Sequence, residues 1–122
     1  MPVGPLTTDV EEEPDWLEDL RDSVEPGSYL AFATEVGPPQ AFPIAKGWTR
    51  IGRSATAELR LDDVTVSRRH ALVVRTDDGE LRGLDDRSLN GLFVNGERVE
   101  WAQLNDGDEL EIGRYRLYVI EA

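Results

Sequence analysis

Ser88-Leu89-Asn90-Gly91-Leu92-Phe93-Val94-Asn95-Gly96-Glu97-Arg98-Val99-Glu100 decides the fold class, because a polar loop, a short apolar run, an Asn-Gly pair and a second alternating run follow one another without a helical period. Asn95-Gly96 supplies the positive φ of a tight hairpin, so Gly91–Val94 and Arg98–Glu100 read as its two strands. The same grammar extends outward in both directions. Asp78-Gly79 separates Ala71–Arg75 from Glu80–Leu84, and Asp106-Gly107 precedes Glu109–Ile112 and Arg114–Ile120. Toward the N-terminus, Tyr29–Thr34, Gln40–Ile44, Trp48–Ile51 and Glu58–Leu61 complete a set of short, β-branched or aromatic runs. The prediction is all β, folded as a sandwich of two sheets, since one open sheet of so many strands would leave a face uncovered.

Composition narrows the function. With 122 residues, 39% of them hydrophobic, the chain can bury one core of ordinary size. The absence of cysteine removes disulfides, thiol catalysis and thiolate metal sites and suits a reducing cytoplasm. A single histidine argues against zinc, and nothing calls for another metal or a cofactor. No apolar run approaches the roughly 20 residues of a membrane span, and Met1–Thr8 lacks the basic and apolar regions of a signal peptide. The formal net charge of −12 opposes a nucleic-acid partner, whose phosphate backbone the long-range field repels. That charge is uneven: residues 1–28 carry nine acidic side chains against Arg21, a balance of −8, leaving −4 for residues 29–122. With four prolines, residues 1–28 are expected to form a largely disordered acidic tail ahead of a domain at 29–122. A short helix is expected at 14–21, where Pro14 suits a first turn and Trp16, Leu17 and Leu20 share a face.

The ordered set Gly52-Arg53, Ser67-x-x-His70, Ser88-x-Asn90-Gly91, Val94-Asn95-Gly96 and Leu104-x-x-Gly107-Asp108-x-x-x-Ile112-Gly113 resembles a forkhead-associated domain. The resemblance implies a β sandwich of about eleven strands that binds phosphothreonine peptides through loops at one end, in Ser/Thr kinase signalling, without catalysis. The run Leu61-Asp62-Asp63-Val64-Thr65-Val66-Ser67-Arg68-Arg69-His70-Ala71 is similar to that of the small bacterial regulators that inhibit 2-oxoglutarate dehydrogenase.

Residue chemistry fits that role. Arg53 offers a planar fork able to meet two phosphate oxygens at once, and the resemblance makes it the chief phosphate ligand. Ser67 adds a compact hydroxyl donor and Arg68 a second cation, both at positions that contact phosphate in the family. Asn90 carries an amide that both donates and accepts, suited to a peptide backbone. Leu89 stands where the family often has a small hydroxyl residue, so a side-chain bond is lost there and only its backbone contributes. The resemblance assigns His70 to a structural brace. Gly52, Gly91, Asn95 and Gly107 read as turn and packing residues, while Arg60, Arg69 and Arg87 extend a positive rim. Ser67 with His70 as a hydrolase is disfavoured because the two share one turn, with no acid partner and no nucleophile-elbow glycines.

Thr7-Thr8-Asp9-Val10 loosely resembles the phosphorylated double-threonine segment of the dehydrogenase inhibitors, where the modified tail closes on its own domain. The expected partners are therefore a phosphothreonine protein, a Ser/Thr kinase and the chain's own tail. The alternative is a phosphate-independent regulator of a metabolic enzyme, with the pocket as its off switch. A cytoplasmic monomer suffices for either reading.

Overall fold

β-branched and leucine side chains at alternating positions lead most strands to bury one face, and two sheets stacked on those faces cover them. The computed structural model describes residues 13–122. The element order is α1 (Asp15–Ser23), β1 (Ser28–Phe32), β2 (Gln40–Pro43), β3 (Trp48–Gly52), β4 (Leu59–Arg60), β5 (Ala71–Arg75), β6 (Leu81–Asp85), β7 (Leu92–Val94), β8 (Glu97–Val99), β9 (Trp101–Leu104), β10 (Glu109–Ile112) and β11 (Tyr115–Glu121). One sheet has the order β2-β1-β11-β10-β7-β8 and the other β4-β3-β5-β6-β9. Between them lies a core that includes Leu30, Ile51, Val73, Leu92, Leu110, Ile112 and Leu117, each at most 1% exposed.

The expected sandwich is present. The Asn95-Gly96 hairpin joins β7 to β8 with φ of 52° and 87°, the double positive φ that the dipeptide supplies. Two readings need correction. The sequence reading ended a strand at Glu100, whereas the chain changes sheets there: β8 pairs with β7, and Trp101–Leu104 pairs with β6 as an eleventh strand. The helix runs from Asp15 to Ser23 with Pro14 as its N-cap, not from 14 to 21. It lies on the outer face of the six-stranded sheet, where a fully buried Leu17 joins Ala31, Tyr118 and Ile120 in a second apolar cluster. Trp16 meets Tyr118 edge to face at 5.9 Å, and Arg21 pairs with Asp106 at 2.7 Å. Gly27 and Ala122 exchange two backbone hydrogen bonds, so the charge-based boundary at residue 28 falls within continuous structure. Thr7 and Thr8 lie outside the described residues.

Candidate phosphate-binding loops

Three connections converge at one end of the sandwich: the segment after β3, the long loop between β4 and β5, and the loop between β6 and β7. Gly52 permits the first meeting. A Cβ there would lie 2.1 Å from the Arg68 carbonyl oxygen, so only glycine lets β3 press against the loop. The approach is closed by Arg53 N donating to Ser67 O at 2.9 Å and Ser54 N to Arg68 O at 3.1 Å. Arg53 then turns its guanidinium along the loop, and Nε donates to Val66 O at 2.9 Å, leaving both Nη groups uncommitted among the described residues. Arg60 Nε braces the same turn by donating to Arg53 O at 2.9 Å.

His70 ties the second loop to the third. Its Nδ1 accepts the Ser67 backbone N–H at 3.0 Å, which puts the ring proton on Nε2, and Nε2 donates to Gly91 O at 2.9 Å. The imidazole is fully buried. Two further bonds stitch the loops: Leu89 N donates to Ser67 Oγ and Asn90 Nδ2 donates to Thr65 O, both at 2.9 Å. The Leu89 side chain itself points into solvent, 84% exposed. Because Ser67 Oγ already accepts a hydrogen bond, its own hydroxyl proton is left for another acceptor.

Ser67, Arg68, Arg69, Asp86 and Arg87 line an open depression of about 380 Å³. Arg69 is held by Asp86 at 3.2 Å, whereas Arg68 is exposed and has no ion pair among the described residues. Arg53, Ser67, Arg68, Leu89 and Asn90 are thus gathered into one loop cluster, with Gly52, His70 and Gly91 beneath it. Asn95 is elsewhere. It closes the β7–β8 hairpin beyond the far end of β7, accepting Glu109 N at 2.9 Å and donating to Asp108 at 3.1 Å.

Several contributors were not singled out from the sequence. Ser88 Oγ accepts Gly91 N at 2.9 Å, a local serine turn that the Ser-x-x-Gly spacing could have signalled. Asp63 accepts both Thr65 Oγ1 and Thr65 N, and those bonds, the hydroxyl's first, hold its carboxyl below the usual range. Thr65 Oγ1 in turn accepts Arg114 N at 3.0 Å. The Val66 carbonyl carries no residue-type signal at all.

This loop geometry has relatives. The family model described as "FHA domain", the forkhead-associated domain, matches residues 49–113. The chain is 51% identical over 69 residues to the glycogen accumulation regulator GarA of Mycolicibacterium smegmatis, covering 57% of this chain and 43% of that one. It is 45% identical over 80 residues to the oxoglutarate dehydrogenase inhibitor of Corynebacterium diphtheriae, covering 66% of this chain and 55% of the relative. The chain therefore spans about half the length of these curated relatives. Among solved structures, EmbR of Mycobacterium tuberculosis in complex with a low-affinity phosphopeptide superposes with a TM-score of 0.71 at 29% identity, covering 87% of this chain and 28% of EmbR. A structure from a study of phosphothreonine-dependent FHA domain interactions gives 0.69 at 32% identity, covering 78% and 96%. A family match over more than half of the chain, falling on the strands that carry the converging loops, shows that this protein belongs to the FHA domain family.

Proposed function

We propose that this protein is a phosphothreonine-peptide reader in Ser/Thr kinase signalling, a cytoplasmic binding module and not an enzyme. The observation that carries the reading is the Ser67 hydroxyl, oriented by Leu89 N–H and set beside Arg68, which has no ion pair among the described residues, in a cluster that also holds Arg53. A phosphothreonine brings nearly two negative charges and three acceptor oxygens, so these groups each supply a charge-assisted bond worth roughly 1.5–3 kcal/mol. Asn90 keeps its carbonyl oxygen and one N–H for the peptide backbone. Catalysis by Ser67 has no support in the geometry, because His70 Nδ1 takes the serine's backbone N–H and Nε2 is turned to Gly91. No described helix is long and apolar enough to cross a membrane.

The test is a titration of the isotopically labelled chain with a degenerate phosphothreonine peptide library and its unphosphorylated twin. Shifts at Arg53, Ser67, Arg68 and Asn90 with phosphate alone are expected. Arg53→Ala should weaken binding ten- to a hundredfold, and a folded Arg53→Ala protein that binds unchanged sinks the assignment.

Relatives named as oxoglutarate dehydrogenase inhibitors favour a second reading, in which the unphosphorylated protein regulates a metabolic enzyme and phosphate at the loops switches it off. Inhibition of 2-oxoglutarate dehydrogenase by unphosphorylated protein supports it, and no inhibition removes it. Under either reading the chain's own Thr7 or Thr8, once phosphorylated, is a candidate ligand. With α1 anchored from Asp15, the six residues between Thr8 and that helix reach about 20 Å when extended. Kinase treatment that leaves the Arg53 and Ser67 amides unmoved argues against self-closure.

A further inference from the structure

The loop between β6 and β7 is hydrogen-bonded at every residue. Ser88 N donates to Asp85 Oδ1 at 3.0 Å, Leu89 N to Ser67 Oγ at 2.9 Å and Gly91 N to Ser88 Oγ at 2.9 Å. Asn90 Nδ2 donates to Thr65 O and His70 Nε2 to Gly91 O, both at 2.9 Å. Such a loop presents a fixed backbone, yet the Leu89 side chain at its tip is bare, 84% exposed. A single exposed leucine is ordinary on a protein surface, and this one is set apart by where the loop holds it.

Leu89 stands between two groups that a phosphothreonine peptide is expected to touch. Its own N–H rests on the Ser67 hydroxyl oxygen, and the residue that follows it is Asn90. A peptide that reaches both the Ser67 hydroxyl and the Asn90 amide therefore passes over Leu89. The leucine has no donor to offer a phosphate; it offers apolar surface at the place where the polar bonds fix the register of the peptide.

We propose that the Leu89 side chain is a specificity-determining contact, selecting peptides in which a residue directly beside the phosphothreonine is aliphatic, a preference that rests on the phosphothreonine reading. An aliphatic neighbour laid on Leu89 removes apolar area of both side chains from water. A charged or amide neighbour in the same place loses hydration and finds no hydrogen-bonding group on the leucine. Because the loop backbone is already pinned, little ordering is left to be done on binding, and the contact is not offset by loop entropy.

The experiment titrates the isotopically labelled full chain with short phosphothreonine peptides in an alanine and serine background, placing leucine or alanine on each side of the phosphothreonine in turn. Leucine on one side should tighten binding roughly five- to tenfold over alanine and shift the Leu89 methyl groups. In Leu89→Ala the two peptides should bind alike, and in Leu89→Met, which keeps an apolar side chain of similar length, the difference should return. The exposure of Leu89 makes both variants compatible with the fold. Wild-type protein that binds leucine and alanine peptides alike on both sides, or a leucine preference that survives in Leu89→Ala, overturns the proposal while leaving the phosphothreonine reading intact. Peptides that leave the Arg53, Ser67 and Arg68 amides unmoved defeat that reading and the leucine preference with it.

Discussion

Gly52 makes the phosphate loops possible by what it lacks. A methyl group 2.1 Å from the Arg68 carbonyl must force β3 and the loop apart, breaking the Arg53-to-Ser67 and Ser54-to-Arg68 bonds. Gly52→Ala should therefore cost about 1–3 kcal/mol in chemical denaturation and abolish phosphopeptide binding; a variant of unchanged stability and affinity refutes the close approach. His70→Ala should cost about 3 kcal/mol, because it leaves the Ser67 N–H and the Gly91 carbonyl unpaired beside a new cavity. The same histidine marks the limit of sequence reading at this scale. Arg53, Ser67, Arg68 and Asn90 could be singled out because the ordered set of motifs resembles the family and their fork, hydroxyl and amide suit a phosphopeptide, and the structure brings the loops that carry them together. That Ser67 Oγ receives Leu89 N–H could not, since the two residues are 22 positions apart and the donor is a backbone group that every leucine possesses. The Val66 carbonyl that aims Arg53 was invisible for the same reason.

Helix α1 and strand β9 show what limits legibility at the scale of elements. The helix was visible as a short apolar face behind a proline, but Leu17 looks the same in sequence whether it is solvated or fully buried against Ala31 and Ile120. Strand β9 was missed because the sheet switch at Glu100 carries no glycine or proline, and because Trp101 and Gln103 face outward, which leaves only Leu104 of the four residues buried. Docking of α1 has a testable acid limit. Burial pushes the Asp106 carboxyl up, yet its bonds from Arg21 and the Glu121 N–H outweigh that push and hold it below the usual value near 3.9. A carboxyl depressed in the folded state contributes stability above its unfolded pKa and loses it as pH falls through the folded one. Amide protection of residues 15–23 should therefore drop as pH falls below about 4, and Asp106→Asn should lack that acid step. Leu17→Ala should release the helix outright, seen as rapid hydrogen exchange confined to residues 15–23, while the sandwich stays protected. Protection that survives the substitution places the anchor elsewhere.

Taken whole, the molecule sets a local cationic site inside a strongly anionic envelope. Arg53, Arg68, Arg69 and Arg87 gather at the loop end, yet the chain carries 25 acidic against 13 basic side chains and a balance of −12. The two fields act over different ranges. At about 0.01 M salt the Debye length is near 30 Å, comparable with the domain's own diameter, so an approaching phosphopeptide meets the net charge first; at 0.15 M it is about 8 Å, and only the loop arginines are felt at contact. Most opposite-charge encounters slow as salt rises, but here screening removes more repulsion than attraction. A phosphothreonine peptide with no other charged residue should therefore associate faster at 0.15 M than at 0.01 M salt in stopped flow, and dissociate faster as well, because the proposed bonds to Arg53 and Arg68 weaken. Removing residues 1–12, which carry Asp9, Glu11 and Glu12 and no cation, should raise the low-salt association rate and flatten its salt dependence. An association rate that falls with added salt would mean that the loop arginines, and not the envelope, set the field the ligand meets.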